Sequence, residues 1–145
     1  MIEYIQNKTH GSTIFYQDKE VYSKRSAIYE IKNLCIQHFF SYEGYIESVK
    51  KLTQERKLIP VVMDDEHSFL PTSRVRDYEN IWINVGAIYQ LNPKNNEVEI
   101  VFYSGRKLYV RHSLNYLKNK IKVAMKIKSM KVNIFIFNHV EITSK

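Results

Sequence analysis

One cysteine, four glycines and three prolines in 145 residues leave this chain few of the devices that staple or break a backbone. The lone thiol, Cys35, cannot close an internal disulfide, so the fold needs no oxidising compartment, and no Cys/His grouping has zinc spacing. No stretch approaches the roughly 20 consecutive apolar residues of a membrane helix. The opening MIEYIQNKTHG also lacks the charged start and apolar run of a secretion signal. Scarce Gly and Pro argue against low-complexity linkers or repeats. The expectation is a cytoplasmic protein with no membrane partner, organised as one domain over 1–145, since this length supports one core.

What the chain has in quantity is aromatic and basic. Eleven Tyr and 7 Phe point to an ordered core, and 22 Lys+Arg against 15 Asp+Glu leave a net charge of +7 and a pI near 9.4. That excess suits an anionic partner such as nucleic acid or an acidic protein surface, although a Lys-rich solvated surface gives the same balance.

The periodicities describe an α+β chain. Ser12–Tyr22 reads as a hairpin around Gln17–Glu20. From Ser23 or Ser26, the apolar positions Ala27, Ile28, Ile31, Leu34, Cys35 and Phe39 line one helical face, and a second short helix covers Glu43–Leu52. Strands follow at 58–63, 68–70, 80–85, 87–91, 98–103 and 107–111, joined by turns at 92–96 and 104–106. From Ser113 a helix carries Leu114, Leu117, Ile121, Ala124 and Met125 inward and Asn115, Lys118, Lys122, Lys126 and Ser129 outward. Val132–Val140 reads as a last strand or an interface segment. The expected architecture is a mostly antiparallel meander, bent or barrel-like, packed by a helix of the N-terminal half and a C-terminal helix.

Catalysis has little support in these residues. Asp64-Asp65-Glu66-His67 is the one dense acidic cluster with a histidine, and neighbouring residues of a turn cannot aim at one atom, so it reads as a solvated hairpin turn. Cys35 lies on an apolar helical face as a small hydrophobe. His10, His38, His67, His112 and His139 show no metal spacing. No enzyme activity, cofactor or metal is expected. Trp82, between Ile81 and Ile83, is a core anchor in preference to a base-stacking platform. Arg74 and Arg76, one residue apart on the polar stretch 72–80, are either an ordinary charged loop or cations shaped for a narrow, strongly negative groove. Lys50-Lys51, Arg56-Lys57 and Arg106-Lys107 are candidate phosphate contacts.

The order of these pieces carries a resemblance. Phe69-Leu70-Pro71-Thr72-Ser73, a polar spacer and Asn80-Ile81-Trp82-Ile83-Asn84, followed by a meander ending in a helix, resemble the ComK family of competence transcription factors. Leu34–Gly44 resembles the family's Cys-containing helix and Tyr-x-Gly turn, with Tyr45 where the family has a basic residue. Ile59–Val62 and Val98–Ser113 match further strands, so the likeness covers roughly 14–127 of a chain shorter than typical members. The resemblance implies a non-enzymatic activator that binds A/T-rich promoter boxes through the minor groove as a homo-oligomer, a dimer or dimer of dimers. In that reading Arg74, Arg76, Lys50, Lys51, Arg56, Lys57, Arg106 and Lys107 are the DNA-contacting set. The alternative is a divergent paralogue that modulates another regulator through protein contacts such as VNIFIF.

Overall fold

The computed structural model describes residues 1–135, and its element order is β1 (Ile2–Lys8), β2 (Gly11–Tyr16), β3 (Glu20–Ser23), α1 (Ala27–Gln37), α2 (Tyr42–Leu52), β4 (Val61–Val62), β5 (Ser68–Pro71), β6 (Ile81–Asn84), β7 (Ile88–Lys94), β8 (Glu97–Phe102), β9 (Lys107–Val110) and α3 (Leu114–Phe135). The expected antiparallel α+β fold is present as two open sheets that do not close into a barrel. One is six-stranded in the order β3-β2-β1-β6-β5-β4, and the other is β7-β8-β9.

The six-stranded sheet is the middle layer, because its strands are apolar on both faces. Ile5, Ile14, Phe69 and Trp82 pack against the helices, in a cluster with Ile31, Cys35, Val49, Val123 and Ile127. Their chain neighbours Tyr4, Phe15, Leu70 and Ile83 point the other way, against Val98, Ile100, Phe102 and Val110 of the second sheet. Trp82 is fully buried and meets Tyr42 edge-on at 6.4 Å, which makes it the core anchor the sequence suggests.

Residues 2–8, to which the sequence reading gave no element, form β1, the strand that joins both halves of the middle layer by pairing with β2 and β6. Its alternation is broken by a bulge between Ile2 and Tyr4. The extra residue, Glu3, is wholly buried. Its carboxylate accepts from Arg106 Nε at 2.7 Å and from Ser104 Oγ, both in the β8–β9 turn of the other sheet. The Arg106 guanidinium also lies 5.1 Å from the Phe15 ring centre and 3.6 Å from Glu20. One ion pair therefore clasps the two sheets at the end of the molecule where β1 begins.

Asn84 ties the same end from the other side. Its Oδ1 accepts from Ser68 N at 3.0 Å and Gly86 N at 3.1 Å, and its Nδ2 donates to Ile2 O at 2.8 Å and Glu66 O at 2.9 Å. All of its hydrogen-bonding capacity is used in a fully buried position. Gly86 is dictated by this packing, since a Cβ there would stand 2.2 Å from Glu66 O.

The helices follow their local signals with some corrections. Ser26 caps α1 by accepting from Tyr29 N, and Ser41 caps α2 by accepting from Gly44 N. Phe39, expected on the inward face of α1, is instead 98 % exposed, because the helix ends at Gln37 and Phe39 turns left-handed at φ 66. Met125 is also exposed, and Val123, Ala124 and Ile127 fill its expected place. Of the two readings of Val132–Val140, a last strand or an interface segment, the strand does not begin, since α3 runs through Phe135, and residues 136–140 lie outside the described part. The strand expected at 58–63 shrinks to Val61–Val62, because Leu58 takes φ 49. Lys131 seals α3 onto α2 and β4: its Nζ donates to Val62 O at 2.7 Å and sits 4.4 Å from the Phe40 ring centre, and burial pushes its pKa down.

Two expectations follow. Arg106→Ala leaves the buried Glu3 carboxylate without its cation and should lower unfolding stability by about 3–5 kcal/mol in urea titration, with Arg106→Lys recovering part of the loss. A loss no larger than that of an exposed ion pair would show that the clasp is unimportant. In the β4–β5 turn, partial burial raises the Asp64 pKa, but hydrogen bonds from His38, Glu66 N and His67 outweigh it and bring it from 3.8 to about 2. A depressed carboxylate stabilises the fold above its unfolded pKa and loses that contribution as pH falls through its folded one. Asp64→Asn should therefore flatten the acid limb of a stability–pH profile between about pH 4 and pH 2, and an unchanged limb would assign it to other carboxylates.

Candidate nucleic-acid interface

The segment between β5 and β6 is long for a strand connection, yet side chains fix its base. Asn80, 1 % exposed, accepts from Thr72 N at 2.9 Å and Ser73 N at 3.1 Å through Oδ1. Thr72 Oγ1 accepts from Ile81 N at 2.9 Å. Such side-chain bonds to nearby backbone replace the ladder that a loop lacks. Within the loop, Asp77 N donates to Arg74 O and Asn80 N to Asp77 O, making two successive turns. Val75 packs against the helix-side core, and Arg74 and Arg76 on either side of it are exposed. Arg74 contacts Asp77 at 3.4 Å with 87 % of its side chain open to solvent. Arg76 has no carboxylate within salt-bridge distance among the described residues.

Two further residues tie this loop to its neighbours. Asn7, near the end of β1, donates from Nδ2 to Tyr78 O at 3.0 Å and accepts from Ala27 N at 2.8 Å, joining the loop to the start of α1. His112, ahead of α3, bonds through Nε2 to Thr72 O and stacks on Tyr116 at 4.3 Å. A carbonyl can only accept, so Nε2 carries the proton. The β1–β2 turn closes onto the β3–α1 connection at Gly11, where a Cβ would stand 2.0 Å from Ser23 O and where φ is +152.

The strand pairing sets what shares this end. Lys8 pairs with Gly11, Ser12 with Ser23, Pro71 with Trp82, Lys94 with Glu97 and Val98 with Val110. The β1–β2, β3–α1, β5–β6, β7–β8 and β9–α3 connections therefore all lie where β1 ends. These connections carry Lys24, Arg25, Arg74, Arg76, Lys94 and Arg111, against Asp77, Glu79 and Glu97. The opposite end carries Glu3, Asp18, Glu20, Asp64, Asp65 and Glu66, against Lys19, Arg106, Lys107 and Lys128, of which Arg106 is taken up by Glu3 and Lys128 by Asp65. The molecule is electrically polar along its strands.

The cations singled out from sequence divide accordingly. Arg74 and Arg76 sit on the basic end. Arg106 is at the opposite end in the Glu3 clasp, and Lys107 beside it lies 3.9 Å from Glu99. From Glu3 to Asn7 along β1 is about 13 Å at ~3.3 Å per residue, so the two groups are well separated. Lys50 and Lys51 are exposed on the last turn of α2, with Lys51 paired to Glu47 at 2.9 Å. Arg56 and Lys57 follow on the exit toward β4, where Arg56 donates to Thr53 O and Glu55 O and Lys57 O accepts from Lys120. Tyr45, at the position where a basic residue was expected from the resemblance, is a buried strut. Its hydroxyl donates to Pro60 O and accepts from Val62 N, and burial raises its pKa. Cys35 is buried, and burial pushes its thiol up to about 11, away from nucleophilic use.

Lys24, Arg25, Lys94 and Arg111 were not singled out from sequence. Each follows or ends a strand, which is a legible turn signal, but nothing local says that their turns share an end with residues 72–80. Among the described residues no group of His, Cys, Asp and Glu could hold a metal ion. No helix among them is long and apolar enough to cross a membrane.

No curated protein and no solved structure matches the chain significantly. A family model does. With residues 1–133 matched by the family model described as ComK protein, a span that includes the motif order of residues 69–84, the chain belongs to the ComK family of competence transcription factors.

Proposed function

We propose that the protein regulates transcription by binding A/T-rich duplex DNA through the minor groove, with Arg74 and Arg76 entering the groove. The observation that carries this reading is the pair of exposed guanidinium groups flanking the half-buried Val75 on a loop whose base is bonded on both sides. A narrow A-tract minor groove concentrates negative potential and attracts Arg without requiring base-edge hydrogen bonds. A rigid loop suits that task, because it offers both cations without ordering a backbone first. The far-end Arg106 serves the fold in this reading. Lys50, Lys51, Arg56 and Lys57 reach phosphates only where a duplex extends over the helix layer. Assembly as a homo-oligomer on promoter DNA and action in the cytoplasm belong to the same proposal, supported by the family.

The test is a binding titration of A/T-rich against G/C-rich duplexes over a range of salt, with netropsin as a groove competitor. The expected result is an A/T preference that netropsin abolishes and that falls more steeply than total affinity in Arg74→Ala/Arg76→Ala. Equal affinity for both duplexes would remove the groove reading and leave polyelectrolyte attraction. Asp77→Asn offers a second check. Asp77 competes with DNA phosphate for Arg74, and an exposed pair of this kind is worth up to about 1 kcal/mol. Its removal should tighten binding to both duplexes by up to about fivefold, whereas weaker binding would mean that Asp77 holds Arg74 in its binding pose.

A further inference from the structure

We infer that two groups of cations outside the loop, Lys24-Arg25 and Lys94-Arg111, clamp the DNA backbone on either side of the groove that Arg74 and Arg76 enter. The inference rests on the minor-groove reading and adds the phosphate-contacting residues to it.

The placement comes from strand order. The β3–α1 connection crosses back over the end of β2, where Gly11 packs against Lys24, so Lys24 and Arg25 stand about two strand positions from β6 in the order β3-β2-β1-β6, about 10 Å at ~4.8 Å per strand. A minor groove is about 6 Å wide. With the loop in the groove, Lys24 and Arg25 overshoot its wall and face the phosphates beyond. They are held there: Arg25 O accepts from Ser12 Oγ at 2.8 Å, Ala27 N donates to Asn7, and the Arg25 guanidinium lies 5.0 Å from the Tyr29 ring centre. Lys8, at the end of β1, shares this end of the sheet but differs, because its ammonium folds back toward Gln6 Oε1 and the Phe15 ring.

The second group stands across the sandwich, where the other sheet packs at about 10 Å. Arg111 forms a common wall of two adjoining depressions. One, of about 340 Å³, is bordered by Thr72, Ser73 and His112 at the base of the arginine loop. The other, of about 420 Å³, is bordered by Lys94, Asn95 and Asn96 of the β7–β8 turn. Glu79 stands on the first and Glu97 on the second, so the cationic excess there is modest and the contact is with the backbone's outer oxygens. Asn95 holds φ 50, the conformation that lets a two-residue turn carry Lys94 and Asn96 on a tight tip. Lys24, Arg25, Lys94 and Arg111 have no carboxylate within salt-bridge distance among the described residues, which leaves all of them available to phosphate.

Phosphate contacts have a signature that groove contacts lack. Each neutralised phosphate adds about 0.9 to the slope of log affinity against log salt, irrespective of sequence. The experiment uses the full chain and an A/T-rich duplex, followed by fluorescence anisotropy at several salt concentrations. Lys24→Ala/Arg25→Ala and Lys94→Ala/Arg111→Ala should each reduce that slope by about 1.8 while the A/T-to-G/C ratio stays at its wild-type value. Lys118→Ala/Lys122→Ala, on the exposed side of α3, should leave the slope unchanged. Charge-keeping Arg25→Lys and Arg111→Lys should restore the slope if an Ala variant proves unstable. A wild-type slope in both clamp variants, with A/T preference intact, overturns the clamp and leaves the groove reading standing. Absence of A/T preference in the wild type overturns the groove reading and the clamp with it.

Discussion

The contact between Glu3 and Arg106 is the constraint on which the rest of the architecture depends. A carboxylate with no exposure to solvent is costly unless a cation and further donors satisfy it, and here both come from one turn of the other sheet, 103 residues away. The bulge that aims Glu3 at that turn also shifts the alternation of β1, so that Ile2 and Ile5 join the helix-side cluster while Tyr4 joins the sheet-side cluster. Tyr4 then stacks on Phe15 at 4.2 Å and on Phe102 at 5.6 Å, continuing the sheet-to-sheet contact inward from the ion pair. Replacing the pair by hydrophobic groups could be equally stable in principle. What the charges add is registry, since Arg106 is satisfied only when the β8–β9 turn meets β1 at its bulge.

Fixing that end has a consequence at the other. The middle sheet is clasped where β1 starts, so its strands and those of the second sheet finish together where β1 ends, and their connections form one surface. The clasped end carries an excess of acids and the free one an excess of Arg and Lys, of which only Arg74 has a carboxylate partner among the described residues. Net charge alone does not say this: +7 spread evenly would make a weak, undirected polycation. The separation along the strands makes one end of the protein better matched to an anionic rod than the other.

The sequence disclosed local elements well and their company poorly. Ser26, one of two starts offered for the first helix, does cap it, because a cap acts over three residues, whereas Ser41, the cap of the second, was not singled out. β1 was hidden, since a buried glutamate interrupts its alternation and its partner lies at Arg106. For the same reason Arg106 passed for a surface cation. Phe39 continued a helical spacing on paper, but α1 closes through His38 and sends the ring outward. The loop 72–80 was legible as a loop carrying two arginines. That Lys24-Arg25 and Lys94-Arg111 stand beside it depends on strand order, which no window of sequence contains.

Rigidity is what separates this loop from the charged turns that any basic protein shows. Fixing the backbone of a free loop costs about 1–2 kcal/mol per residue, so a mobile 72–80 segment would spend most of a groove contact on ordering itself. Asn80 and Thr72 close its base, Asn7 and His112 hold its flanks, and Val75 plugs it into the core between the two arginines. In the proposed groove contact the cost left is side-chain order, about 2 kcal/mol for each arginine, and Arg74 is already partly restrained by Asp77. Asn80 of the NIWIN segment and Thr72 of FLPTS thus act on the presentation of the loop's charge. They would keep that role even where the cations themselves differed, because the loop's shape depends on them and not on the arginines.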